Sequence, residues 1–107
     1  MKKLLYLLMI LPCMAISQVQ VIEFNANWNE ANSVKWLSDL TDCKTKKIDI
    51  ATDADAAAKY EIVVVPTIVV FNDGEEVKRF QADISFAMKA TKEEVQEAID
   101  EAAGSSF

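Results

Sequence analysis

Val65-Pro66-Thr67-Ile68-Val69-Val70-Phe71-Asn72-Asp73-Gly74-Glu75 is the stretch whose reading decides the fold. It belongs to an apolar run that begins at Ile62 and ends at Phe71. Pro66 has no N–H to offer a central ladder, so the strand proper begins at Thr67. Asn72-Asp73-Gly74 then signals a tight turn, and Val77 to Phe80 returns as the hairpin partner.

Upstream, Val19, Val21, Ile22 and Phe24 form a short β-rich segment bounded by Asn25-Ala26-Asn27. Val34, Leu37 and Leu40 recur at helical spacing, with Trp36 one turn from Leu40, which predicts a helix over 29–42. Asn29, Asn32 and Ser33 are suited to cap its start. Lys46 to Ile50 predicts a second strand with Ile48 and Ile50 on one face. A short helix is expected from Thr52, with Asp53 and Asp55 at its positive end and Ala56-Ala57-Ala58 supplying propensity. Downstream, Thr91-Lys92-Glu93-Glu94 has capping-box spacing, and Val95, Ala98, Ile99 and Ala102 follow on one helical face. Residues 81–90 carry two readings, because Phe80, Ala82, Ile84, Phe86 and Met88 alternate: a lengthened last strand or a packed loop. The order is β-α-β-α-β-β-α in one domain. A strand-helix-strand unit gives a parallel pair and the hairpin adds antiparallel strands, hence an α/β fold with a four-stranded mixed sheet flanked by helices.

The chain has 107 residues, 51% of them apolar and 26% charged, a globular composition. Eleven basic residues against seventeen acidic ones give a net charge of −6, which argues against a general nucleic-acid partner. No His is present, which removes His-dependent triads and His-ligated metals; two Cys are too few for a four-thiolate zinc site. No glycine loop of the phosphate-binding kind occurs. No metal or cofactor is expected. The acidic residues Asp73, Glu75, Glu76, Glu93, Glu94 and Glu97 read as solvated helix and turn surface.

Residues 1–17 read as a secretory signal peptide and 18–107 as the domain. Met1-Lys2-Lys3 is basic, Leu4 to Leu11 is apolar, and Ala15-Ile16-Ser17 places small residues before Gln18. Export to the periplasm or the exterior is therefore expected. Two alternatives bring the membrane in: lipidation at Cys13, disfavoured by Leu11 and Pro12, and an uncleaved anchor. Cleavage leaves nine basic and seventeen acidic residues, or −8, and one cysteine, Cys43. A lone cysteine is either buried and inert or free to bridge two chains in a homodimer.

Residues 19–102 resemble thioredoxin. The resemblance rests on Val21-Ile22-Glu23-Phe24-Asn25-Ala26-Asn27-Trp28, Lys47-Ile48-Asp49-Ile50, Lys59-Tyr60-Glu61-Ile62 and, most specifically, Val65 to Glu75. It implies a minimal thioredoxin-like fold without the first strand and helix of full members. Lys46–Ile50 then becomes an exposed edge, where Lys44, Lys46 and Lys47 discourage pairing. The departure lies at the motif. The family carries Trp-Cys-x-x-Cys, whereas Trp28 is followed here by Asn29-Glu30-Ala31-Asn32, and no CxxC occurs anywhere. Dithiol exchange needs an attacking thiolate and a resolving thiol, and an amide supplies neither. On the expected helix Cys43 lies roughly 20 Å from Asn29 at about 1.5 Å per residue, too far to substitute.

The resemblance further implies that Val65-Pro66-Thr67 forms the family's cis-proline loop, whose backbone pairs with an extended substrate segment. Trp28 would flank it as an apolar contact, and Asn29 and Asn32 would offer amide hydrogen bonds. Glu23 takes the place of the family's buried acid and Lys47 that of its paired lysine, so a structural Glu23–Lys47 pair is expected. The favoured function is a redox-inactive, exported thioredoxin-like protein that binds protein or peptide segments at the Trp28/Pro66 face, with no catalytic residue. The alternatives are an oxidoreductase acting through Cys43 or a partner's cysteines, and a structural protein dimerising through Cys43.

Overall fold

The structure is a computed structural model of the chain and describes residues 18–104. The leader assigned to residues 1–17, with Cys13, lies outside the described residues. Four strands form one sheet in the order β2-β1-β3-β4: β1 Val19–Asn25, β2 Lys44–Asp49, β3 Thr67–Asn72 and β4 Glu75–Gln81. β1 runs parallel to β2 and antiparallel to β3, and β3 is antiparallel to β4. Helices α1 (Ala54–Lys59) and α2 (Lys92–Gly104) complete the fold. The mixed four-stranded α/β architecture expected from the sequence is the one observed.

Alternation along β1 and β3 divides the core into two layers. Val19, Val21, Ile68 and Val70 face Val95, Ile99 and Ala102 of α2, together with Leu37 and Leu40. Ile22, Phe24, Val69 and Phe71 form the opposite layer, against which Ile48, Ile50, Tyr60 and Ile62 pack. Because both central strands are covered on both faces, they read as near-continuous apolar runs. The β3–β4 turn places Asp73 at φ 53° and Gly74 at φ 88°, the two left-handed positions of a two-residue hairpin. The capping box closes as expected: the Thr91 N–H donates to Glu94 Oε1 (2.9 Å) and the Glu94 N–H to Thr91 Oγ1 (3.2 Å). Strand β4 ends at Gln81, so residues 82–91 are a loop.

Three boundaries differ from expectation. β2 begins at Lys44 rather than Lys46 and ends at Asp49; α1 begins at Ala54, because the Asp53 side chain accepts from the Ala56 N–H and makes Asp53 the N-cap. The largest correction is the helix expected over 29–42. It is replaced by two short 3-10 turns, Asn27–Asn32 and Leu37–Asp39. The Ser33 N–H donates back to the Glu30 carbonyl, and the next N–H, of Val34, donates instead to the Glu23 carboxylate. In an α-helix that second N–H would be bonded within the segment. Asn and Ser side chains here also bond locally, which offers the backbone an alternative to the helical ladder. Leu37 and Leu40 still reach the core, so the spacing located the buried residues but not their conformation.

Arg79 on β4 clamps the exit of α1. Its guanidinium donates to the Glu61 carbonyl (3.0 Å) and the Tyr60 carbonyl (2.8 Å), and grips Glu76 through both carboxylate oxygens (3.0 and 2.8 Å). The hydrogen bond from Arg79, aided by its charge and opposed by burial, holds the Glu76 carboxyl below its ordinary value. A carboxyl depressed in the folded state stabilises above its unfolded pKa, and the stabilisation fades as pH falls through the folded value. Urea unfolding of Glu76→Gln should therefore show a loss of about 0.5 kcal/mol at pH 7, appropriate to an exposed pair, that shrinks below the ordinary carboxyl value of 4.5. Arg79→Ala, which also frees two carbonyls, should cost about 1–2 kcal/mol at pH 7.

Candidate functional site

The site lies where β1 ends, beside the loop that enters β3. After Asn25 the chain turns through Ala26 and Asn27; the Asn27 N–H donates to Asp49 Oδ1 (3.1 Å), which ties this turn to the end of β2. The Asn29 N–H donates to the Ala26 carbonyl (2.8 Å). Trp28, between these two fixed points, is left 65% exposed. It is therefore a surface residue rather than a core one.

Asn29 and Asn32, which the sequence reading sets at the family's two cysteine positions, join a side-chain network. Asn29 is buried and its amide donates to Asn25 Oδ1 (3.0 Å) and to the Phe86 carbonyl (3.0 Å). Asn25 answers with a bond from its own amide to the Asn29 carbonyl (3.2 Å), and Asn32 donates to Asn29 Oδ1 (2.9 Å). Both amide hydrogens of Asn29 are thus consumed inside the protein, since a side-chain amide carries two donors. Asn29 holds the site together and is not an outward-facing donor, which corrects the reading of its role. Asn32 is exposed and retains one donor beyond the network.

The partner in this network, Phe86, belongs to the 82–91 loop. Its ring meets Trp28 edge-on, centroids 5.4 Å apart. Its backbone sits at φ 61°, a left-handed position uncommon outside glycine. The bond from Asn29 and the Phe86 N–H to the Asp83 carbonyl (3.1 Å) hold it there. Asp83 also accepts from the Ser85 N–H (2.8 Å) and hydroxyl, which, with Lys89 nearby, keep its carboxyl below the ordinary value. Ile84, at the crest of this loop, is 95% exposed.

Across the loop stand Val65, Pro66 and Thr67. The Val65–Pro66 bond is cis. All three side chains are buried, and the Ala82 N–H donates to the Pro66 carbonyl (3.1 Å) while Thr67 Oγ1 donates to the Val64 carbonyl (2.6 Å). Among the described residues nothing bonds to the N–H or carbonyl of Val65. The 82–86 segment therefore links Pro66 to Trp28.

Glu23 is fully buried on β1, but its partner is not Lys47. Its carboxylate accepts from Ser33 Oγ (2.9 Å) and the Val34 N–H (3.0 Å). Lys47, opposite Glu23 in the β1–β2 register, extends outward to Glu30 (3.1 Å). The physical reason is desolvation: two neutral donors satisfy the buried oxygens, and an exposed ion pair spares an ammonium from leaving water.

Cys43 stands immediately before β2, whose first residue, Lys44, pairs with Gln20 near the start of β1. The Trp28 turn follows the other end of β1. Five residues of strand at about 3.3 Å each separate the two ends by roughly 16 Å. The separation inferred from the sequence holds, although the helix used to measure it does not form. Cys43 is half-buried against the α2 core layer, and burial, then the Asp42 carboxylate, push its thiol pKa up. Among the described residues no three acidic or thiol side chains converge to hold a metal ion.

The Thioredoxin family model matches residues 14–101. The chain belongs to the thioredoxin family. It is similar to the thioredoxin of Mycobacterium tuberculosis, 38% identical over 39 residues that make up 36% of this chain and 34% of that protein. It is 46% identical over 33 residues to the thioredoxin of Staphylococcus epidermidis, covering 31% of this chain and 32% of that one. These alignments span about one third of the curated relatives' length. Among solved structures, a mutant thioredoxin of Halobacterium salinarum superposes with a TM-score of 0.64 at 26% identity, over 80% of this chain and 75% of the other. Schistosoma mansoni thioredoxin gives 0.61 at 25% identity, over 78% and 76%.

Sequence reading missed Asn25, Ser33 and Phe86 as parts of this site. In the sequence Asn25 bounds a strand inside a stretch that resembles thioredoxin, and Phe86 is one member of an alternating series; neither carries a site signal of its own. Glu23→Ala should destabilise the fold by about 3 kcal/mol, since it strands a hydroxyl and an N–H beside a new cavity. Ser33→Ala should cost about 1 kcal/mol. Denaturant unfolding checks both, and a smaller loss for Glu23→Ala than for Ser33→Ala would show that the carboxylate does not organise this segment.

Proposed function

We propose that this protein is a redox-inactive member of the thioredoxin family that receives extended peptide segments at the face formed by Trp28, the 82–86 loop and the Val65 backbone, and does so after export. The observation that carries the reading is that no described residue bonds to the N–H or carbonyl of Val65, in a loop tied through Pro66, Ala82 and Phe86 to a solvent-facing indole. A main-chain donor and acceptor pair is what an added strand uses for affinity, and apolar surface beside it supplies side-chain contact. Trp28, Phe86 and Ile84 supply that surface, while Asn32 keeps a spare amide donor at its margin. The amide network fixes the face without giving it a nucleophile.

Two observations weigh against the alternatives that use Cys43. Its thiol is shifted away from the thiolate, the reactive form. It also lies at the opposite end of the sheet from the face. A disulfide-linked homodimer would need that half-buried sulfur to emerge, and non-reducing electrophoresis should give a single monomer band that Cys43→Ser leaves unchanged.

Peptide binding should be readable in the indole fluorescence of Trp28. A panel of extended peptides with apolar residues, titrated into the protein, should shift that emission and perturb the Val65 amide in NMR spectra. Trp28→Ala should weaken binding by about tenfold or more, the scale of a central aromatic anchor, without changing the melting temperature. Amide perturbations that avoid Val65 and Phe86 for every peptide would refute the assignment of this face.

A further inference from the structure

We infer that the free edge of β2 is a second docking site, which takes an extended acidic segment of another protein as an added strand. Among the described residues β2 pairs with β1 alone and forms one edge of the sheet, with β4 at the other. The direction of its backbone groups follows from one bond. The Ile50 N–H donates to the Asn25 carbonyl and so points inward to β1. Successive residues of a strand direct their N–H and carbonyl to opposite sides. Ile48, Lys46 and Lys44 therefore also face β1, whereas Lys47 and Thr45 direct theirs outward, where no described residue meets them. Two residues in this phase present the two donors and two acceptors that an incoming strand needs.

A cleft of about 550 Å³ lies at the same edge, lined by Thr45, Lys46 and Lys47 of β2 with Val34, Lys35 and Leu37, its one acidic member being Glu30, which is paired to Lys47. An apolar side chain of a docked strand would enter it against Val34 and Leu37.

Charge identifies the occupant. Lys35, Lys44 and Lys46 are exposed and have no ion-pair partner among the described residues, and Lys47 is engaged only with exposed Glu30. This basic strip stands on a chain of net charge −6, so an acidic strand is attracted to this edge and repelled elsewhere. A second copy is a poor occupant. β2 against β2 would set lysines opposite lysines, and like charges across a pair destabilise it. The lysines that keep this edge from self-pairing thus select an acidic partner in place of a neutral one.

The test uses an end-blocked octapeptide of alternating glutamate and valine, titrated into the full-length protein and followed by amide NMR and hydrogen exchange. Expected are shifts at Thr45 and Lys47, slowed exchange of both amides, and binding about tenfold tighter than an alternating lysine–valine peptide at low salt, a gap that narrows as salt screens the charges. Thr45→Pro removes an outward N–H and leaves the inward ladder intact; it should abolish the added strand while circular dichroism stays unchanged. Lys44→Gln/Lys46→Gln should weaken binding severalfold with the fold retained. Trp28→Ala should have no effect, which separates this site from the face proposed above. The inference is overturned if the two peptides bind alike, if Thr45→Pro and the parent protein bind alike, or if the β2 amides are protected only in proportion to protein concentration, as a self-paired edge would be. It is likewise overturned if those amides are already protected in the unliganded protein by the chain's own termini.

Discussion

Two oxygens of Glu23 hold in place the segment on which the rest of the site depends. They lie fully buried on the central strand β1 and accept one hydroxyl, from Ser33, and one backbone N–H, from Val34. A buried carboxylate without partners is costly, so those two donors are fixed in place by the cost of withdrawing them. The Val34 bond takes the N–H that a helix would have used and stops the helical ladder from forming. The 3-10 turn that carries Trp28 and Asn29 ends just before that bond, and the cleft beside β2 is lined by residues on both sides of it.

The Asn25–Asn29–Asn32 network extends this constraint to the surface. In the family resemblance, two of these positions carry the sulfurs. Amides there bring geometry instead of reactivity: Asn29 spends both hydrogens on Asn25 and Phe86 and so binds three chain segments into one unit. Phe86 is held in a left-handed conformation against Trp28. The Asn29 bond and the bond from the Phe86 N–H to the Asp83 carbonyl hold that backbone in place. The resulting face is ordered, apolar at its crest and open at the Val65 main chain.

Much of the architecture was legible in the sequence because it rests on strong local signals. Pro66 and the Asp73-Gly74 turn bracket β3 on steric grounds, and the Thr91–Glu94 box fixes the start of α2 by reciprocal bonds only those residue types make. The helix expected over 29–42 was misread for a reason no periodicity count contains. The Glu23 carboxylate, eleven residues upstream, takes the backbone N–H of Val34, and that competition becomes visible only when β1 and the segment lie side by side. The Glu23–Lys47 pair failed on similar grounds: the two residues are opposite in register, as read, but solvation decides which partner each takes. The bonding that joins the Trp28 turn to the 82–86 loop runs through Asn25 and Phe86, which carry no motif in the sequence.

The proposed redox inactivity rests on the amides of Asn29 and Asn32. Its most direct test is a disulfide-reduction assay of the purified protein beside its Asn29→Cys/Asn32→Cys variant, with a dithiol as the terminal reductant. The account predicts background turnover for the protein as it stands and clear turnover once both thiols are restored. Turnover by the unaltered protein at the rate of the restored variant would contradict it.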